Sequence, residues 1–116
     1  MRTVLIIDDE EDLCALLKTV LVRENFSVDC SYTLANAGMK LLNPPDVILL
    51  DINLPDGSGL DYFHLNPGNF KKSSVVFISA DLTPGIDERV DLSGVAAFIR
   101  KPFTIGILLE TIKKLA

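Results

Sequence analysis

Three short apolar runs each end in a charged group, and this arrangement constrains the chain more than anything else in it. Val4-Leu5-Ile6-Ile7 ends in Asp8-Asp9, Val47-Ile48-Leu49-Leu50 ends in Asp51, and Ala96-Ala97-Phe98-Ile99-Arg100 ends in Lys101-Pro102. Short apolar runs alternating with stretches of helical periodicity are the pattern of strands buried on both faces, and such strands belong to parallel sheets. In an open parallel sheet the ligand crevice lies beyond the carboxyl ends of the strands. The pattern therefore brings three carboxylates and one ammonium to one crevice, the makings of a site for a cation together with a phosphate.

Between these runs the periodicity changes to that of helices. Leu13, Leu16, Leu17, Val20 and Leu21 recur at helical spacing, which predicts an amphipathic helix over 10–24. Ser27-Val28-Asp29-Cys30 reads as a short, less apolar edge strand. Leu34, Ala37, Leu41 and Leu42 mark a second helix, stopped by Asn43-Pro44-Pro45. The third strand is 46–51, and a third helix runs from about Ser58 until Pro67-Gly68. Ser74–Ser79 is the fourth strand and 95–100 the fifth. The last helix starts at Thr104, with Ile105, Leu108, Leu109, Ile112 and Leu115 on its apolar face. In 82–94, Pro84-Gly85 interrupts the pattern and only Ile86, Val90 and Leu92 are available to a core, so the fourth helix is expected to be short or mobile. The whole is a doubly wound α/β (βα)5 unit with helices on both faces of the sheet.

The bulk properties narrow the function. A chain of 116 residues, 48% apolar, makes one domain that buries roughly two-thirds of its unfolded surface. A net charge of −5 with no basic helix or stripe argues against nucleic acid and against anionic membranes as direct partners. No run approaches membrane-spanning length, and the opening apolar run is too short for a signal peptide. Cys14 and Cys30 lack metal or redox spacing and read as reduced structural residues of a cytoplasmic protein.

Asp8, Asp9 and Asp51 at neighbouring strand ends repel. Two carboxylates about 4 Å apart interact by roughly 4 kcal/mol at a surface-like effective dielectric. Without a cation, at least one of them should bind its proton more tightly than usual. A hard divalent cation removes that cost, and few carboxylates plus water suit Mg²⁺ better than Ca²⁺. The simpler explanation, that acids from Asp8 to Asp12 decorate a helix start, accounts for Glu10, Glu11 and Asp12 but not for Asp51. Lys101 either neutralises the acids or contacts a phosphoryl oxygen. The hydroxyl of Ser79, ending the fourth strand, is able to donate to the same oxygen, though a Ser at a strand end is ordinary.

These residues resemble the receiver domains of two-component response regulators. Asp8-Asp9, Asp51 ahead of Ile52-Asn53-Leu54-Pro55-Asp56-Gly57, Ser79-Ala80 and Lys101-Pro102-Phe103 fall in that family's order and approximate spacing, over the whole of 1–116. The resemblance implies a flavodoxin-like sheet of order 2-1-3-4-5. It implies that Asp51 accepts a phosphoryl group from the phosphohistidine of a sensor kinase or phosphotransfer protein. Asp9, Asp51 and the backbone carbonyl of Asn53 would bind Mg²⁺, with Asp8 helping through water. Ser79 and Lys101 would hold the phosphoryl oxygens, and Asn53 and Asp81 stand where the family tunes dephosphorylation. Phe98 matches a switch aromatic, on which view the change passes to the face of the fourth helix, fifth strand and fifth helix; as a plain core aromatic it would do nothing of the kind. Lys101-Pro102 would be a cis peptide.

Gly57 and Gly59 serve either a close approach of backbone to the site or simple turn chemistry, with Gly57 expected to be the more constrained. His64 is expected on the surface. A dehalogenase-type phosphatase is disfavoured because the acidic pair comes first and Asn53 stands where a second acid is needed. A flavodoxin-like flavin binder is excluded by Asp8-Asp9-Glu10-Glu11, which would repel phosphate. The remaining alternative is a pseudo-receiver, a protein-binding module not controlled by phosphorylation, for which only the altered 82–94 segment speaks. No DNA-binding or catalytic output domain is expected in 1–116, so the output would be a downstream protein or a fused domain.

Overall fold

In the computed structural model, which describes residues 2–116, strand and helix alternate along the chain. The order is β1 (Arg2–Ile7), α1 (Glu11–Arg23), β2 (Phe26–Ser31), α2 (Leu34–Lys40), β3 (Val47–Asp51), α3 (Gly59–Leu65), β4 (Ser74–Ser79), α4 (Ile86–Ser93), β5 (Ala97–Arg100) and α5 (Ile105–Leu115). A two-residue antiparallel ribbon, Asn53–Leu54 against Gly57–Ser58, fills the turn after β3, and a 3-10 turn, Pro67–Asn69, follows α3. The five main strands form one parallel sheet of order β2-β1-β3-β4-β5, the doubly wound order expected.

Alternation along the buried strands sends successive side chains to opposite faces. Leu5, Ile7, Ile48, Leu50, Val75 and Phe77 join Leu34, Ala37, Leu60, Ile86 and Val90, the core under α2, α3 and α4. Val4, Ile6, Val47, Leu49, Val76 and Ile78 join Cys14, Leu17, Leu21, Leu108 and Ile112, the core under α1 and α5. Register aligns the strand ends. Ile7 pairs with Leu50, Asp51 with Ile78, and Ser79 with Arg100, so Asp8, Asp51, Ser79 and Lys101 lie at one edge of the sheet.

Several helical residues depart from the expected stripes. Leu16 is 50% exposed because the buried line of α1 runs through Cys14, Leu17 and Leu21, leaving Leu16 on its flank. α2 ends at Lys40, so Leu42, two residues beyond, is 82% exposed rather than on a buried face. α4 is short, eight residues, begun by Gly85 and closed by Gly94, both at positive φ. Ile86 and Val90 are buried as expected, one turn apart; Leu92 lies on the opposite side and is 86% exposed.

The tight glycine is Gly59, not Gly57. Gly57 does adopt positive φ (146°), but a Cβ on it would meet nothing nearer than 3.5 Å. A Cβ on Gly59 would stand 2.1 Å from the carbonyl oxygen of Asp51, because its amide donates to Ile52 O at 2.7 Å and draws α3 onto the end of β3. Gly59→Ala should therefore lower stability by about 2 kcal/mol or more, the cost of displacing backbone. Gly106→Ala on α5, where the nearest atom is 4.0 Å away, should raise it by about 0.5–1 kcal/mol. Urea unfolding of the two variants distinguishes them by sign.

Candidate functional site

Asp8, Asp9, Asp51 and Lys101 meet at the carboxyl edge of the sheet. One carboxylate oxygen from each of the three acids lies within 4.8 Å of the others. Asp8 is fully buried, Asp51 is buried and Asp9 is exposed. The Lys101 ammonium donates to Asp8 Oδ2 at 2.8 Å and to Glu10 Oε1 at 2.6 Å, and stands 3.4 Å from Asp51 Oδ2. Lys101-Pro102 is a cis peptide, as the resemblance implies. Backbone amides complete the first contacts: Glu10 N donates to Asp8 Oδ1 at 2.9 Å, and Asn53 N to Asp51 Oδ1 at 3.1 Å.

Burial, followed by the charge of Asp8, pushes the Asp51 carboxyl up to about 6, against the opposing pull of Lys101 and of the Asn53 amide. Burial also works against the Lys101 charge, but hydrogen bonds to Asp8 and Glu10 and the charge of Asp51 outweigh it and hold the ammonium above the usual lysine range. The expected like-charge repulsion from Asp8 therefore adds to burial in raising the Asp51 carboxyl.

A second layer adjoins the acids. Ser79 is fully buried, and its Oγ accepts from Asp81 N at 2.9 Å. Asp81 Oδ2 accepts from Asn53 Nδ2 at 3.0 Å, and its Oδ1 accepts from Thr83 N at 2.8 Å. Hydrogen bonding to Thr83 and then to Asn53 holds the Asp81 carboxyl below its ordinary value. Asn53, Ser79 and Asp81 thus form one bonded chain beside Asp51. Phe98 lies outside it, half-buried on β5 against the core that contains Ile86 and Val90. His64 is exposed, as expected, on α3.

Three residues acquire roles that the sequence did not disclose. Glu10 shares Lys101 although it opens α1 and reads as a dipole acid. Arg100 donates to the Asp81 carbonyl at 2.7 Å and pairs with Asp87 of α4. Asp56 accepts from the amides of Leu34 and Ala35 at 2.9 and 3.0 Å, tying the turn after β3 to the start of α2. An Asp in a turn is a ready acceptor for free amides, a signal available in the sequence; the reach of Glu10 and Arg100 depends on tertiary placement.

The donor set is all hard oxygen, without sulfur or imidazole, and carries more negative charge than Lys101 neutralises. That composition fits Mg²⁺ rather than a softer metal.

Comparison with known proteins agrees with this geometry. The model of the response regulator receiver domain family matches residues 4–113. Response regulator ArlR of Staphylococcus saprophyticus is 32% identical over 120 residues, 97% of this chain and 51% of that protein. A crystal structure of a two-component response regulator from Clostridium difficile superposes with a TM-score of 0.91 at 27% identity, covering 99% of this chain and 95% of that one. Response regulator protein TrrA from Thermotoga maritima, solved in complex with Mg²⁺-BeF, gives a TM-score of 0.83 at 28% identity, with both chains covered in full. The chain spans about half the length of the curated relatives it matches.

Because Asp51 holds its proton more tightly folded than unfolded, protonation favours the fold. Its contribution falls as pH rises from about 4 to about 6 and is level above that. In EDTA, Asp51→Asn should be more stable than the parent by on the order of 2–3 kcal/mol above pH 6, with the difference shrinking towards pH 4. Paired urea titrations at pH 4.5 and 7.5 check this; a difference independent of pH would remove Asp51 as the strained acid.

Proposed function

The chain belongs to the response regulator receiver domain family, and from that premise we propose that it is a phosphorylation-controlled switch of a two-component system, with Asp51 as the phosphoryl acceptor. The observation that carries the reading is the buried Asp51 carboxylate at the end of β3, gathered with Asp8 and Asp9 within 4.8 Å and faced by the Lys101 ammonium.

Asp51 supplies the nucleophile. A carboxylate oxygen bonds to phosphorus as the bond from phosphorus to the donor's imidazole nitrogen breaks, and the imidazole leaves with that electron pair. Such transfers need positioning and charge stabilisation more than covalent help. Asn53 N–H holds one Asp51 oxygen, which orients the other. The Lys101 ammonium exchanges carboxylate partners for a phosphoryl oxygen without leaving the crevice. Ser79 keeps its hydroxyl proton free to donate, since its Oγ is the acceptor from Asp81 N. Asp9, Asp51 and the backbone carbonyl of Asn53 would hold Mg²⁺, with Asp8 helping through water. When bound, the ion would supply positive charge that offsets the charge of the phosphoryl oxygens.

The donor on this reading is a sensor histidine kinase or a phosphotransfer protein in the cytoplasm. Among the described residues no helix is long and apolar enough to cross a membrane. The change at Asp51 passes to Ser79, Phe98 and the face of α4, β5 and α5, and from there to a downstream protein or a fused output domain. The segment behind the alternative of a phosphorylation-independent module folds into the short helix α4, with Ile86 and Val90 buried, and that alternative predicts no phosphoryl group on Asp51.

Incubation with acetyl phosphate and Mg²⁺, followed by intact mass measurement, should add a single phosphoryl group. The addition should disappear in Asp51→Asn and in EDTA. A modified Asp51→Asn protein, or no addition from either acetyl phosphate or a phosphohistidine donor, would overturn the assignment. Mg²⁺ alone should raise the melting temperature of the parent and raise it less in Asp9→Ala; equal shifts would strike Asp9 from the ligand set.

A further inference from the structure

Arg100 stands immediately before Lys101, and its guanidinium touches three separate parts of the fold. One nitrogen donates to the Asp81 carbonyl at 2.7 Å. Another pairs with the carboxylate of Asp87, in the first turn of α4. The guanidinium carbon lies 5.0 Å from the ring centroid of Phe98, a cation–π distance. No single one of these contacts is strong at a partly exposed side chain, but a planar guanidinium makes all three without changing rotamer, which a lysine cannot do.

The connection to the site runs through Asp81. Its amide donates to Ser79 Oγ, its carboxylate accepts from Asn53 and Thr83, and its carbonyl accepts from Arg100. Every polar group of Asp81 is thus committed. An inward displacement of Ser79 towards a phosphoryl oxygen on Asp51 pulls on the Asp81 amide, and through it on the bond to Arg100. A rotation of Phe98 removes the ring beneath the same guanidinium.

We propose that Arg100 is a positioning residue that fastens Asp81, the first turn of α4 and the Phe98 ring together in the unmodified protein, and so opposes the rearrangement that a phosphoryl group on Asp51 demands. The inference rests on the phosphorylation reading above and deepens it: Arg100 sets the balance between the resting and activated arrangements. A restraint that acts only on the resting state lowers the apparent affinity for any ligand of the activated one.

The test is calorimetric titration of the protein with beryllofluoride, a phosphoryl mimic, in excess Mg²⁺, on the parent, Arg100→Met, Arg100→Lys, Asp87→Asn and the Arg100→Met/Asp87→Asn double variant. Arg100→Met should tighten the apparent Kd about five- to tenfold, the scale of losing a charged hydrogen bond and its ring contact. Arg100→Lys should fall between, and the double variant should match Arg100→Met, because Asp87 acts through Arg100. Hydrogen exchange of the unmodified proteins should show faster exchange over residues 81–90 in Arg100→Met and Asp87→Asn, with the rest of the sheet unchanged. A parent that takes up beryllofluoride with an Arg100→Met variant of equal or weaker affinity overturns the restraint while leaving the switch intact. A parent that takes up none overturns the phosphorylation reading and the restraint with it. Slower or unchanged exchange over 81–90 overturns the restraint whatever the titration gives.

Discussion

Everything at the carboxyl edge of this sheet depends on one imbalance of charge. Parallel strands β1 and β3 end side by side, in a register set by the apolar pairs Val4–Val47 to Ile7–Leu50, and that register brings Asp8 and Asp51 into one crevice. Apolar packing thus decides where the acids go, and the acids have no way to separate without breaking the register. Lys101 at the end of β5 is held against Asp8, Glu10 and Asp51 together, a single ammonium among three carboxylates. Burial, with the charge of Asp8 added to it, pushes the Asp51 carboxyl up to about 6. Strain of this kind persists only where the surrounding core over-determines it, and the two cores flanking the sheet do so here.

The second layer joins residues on β4, β5 and the turn after β3 into one bonded chain. Ser79 and Asp81 are linked by a backbone amide, Asp81 and Asn53 by side chains, and Asp81 and Arg100 by a carbonyl. Ser79 is fully buried, and an apolar residue in its place would leave the Asp81 amide without its partner. Lys101 N donates to Ser79 O at 2.9 Å, so the backbones of β4 and β5 are coupled at the rung where both site residues project. On the proposed reading, a displacement of Ser79 would load β5, the strand that carries Phe98 and Arg100.

The strand ends were legible in the sequence because burial on both faces leaves an unmistakable apolar run, and the charged residue that stops it must lie at the crevice. The placement of Asp8, Asp9, Asp51, Ser79 and Lys101 at the crevice followed from that alone, and the resemblance pointed to Asn53 and Asp81 beside them. The cis Lys101-Pro102 bond followed from the resemblance as well. Helix stripes were less secure. Leu16, Leu42 and Leu92 all satisfy helical spacing, but which flank of a helix faces the sheet, and where its last turn stops, is settled by packing. The constraint on Gly59 was hidden for a different reason: it arises from a carbonyl eight residues earlier in the chain, not from its own φ. Glu10 and Arg100 were hidden because long side chains reach partners that sequence spacing does not reveal. Arg100 also sits in an apolar run, where it reads as the end of a strand and nothing more.

The same imbalance that strains the fold makes the site responsive. Folding holds Asp8, Asp9 and Asp51 together at a cost, and anything that adds positive charge there recovers part of it. A proton on Asp51, a divalent cation among the carboxylates, or the Lys101 ammonium drawn closer are alternative ways to do so, and they compete for the same oxygens. At neutral pH a proton on Asp51 is a minor occupant, because its carboxyl is pushed up only to about 6. An ion that binds only the folded chain then adds its binding free energy to the stability of the fold. On the proposed reading, converting the Asp51 carboxylate to an acyl phosphate adds negative charge to a crevice already short of positive charge. A cation and inward-drawn donors would share the compensation, and the candidate donors are the Lys101 ammonium and the Ser79 hydroxyl. Ser79 is bonded to the Asp81 amide and Lys101 to the Ser79 carbonyl at the end of β5, so on that reading the demand for charge compensation at Asp51 loads the segment that Arg100 is proposed to fasten.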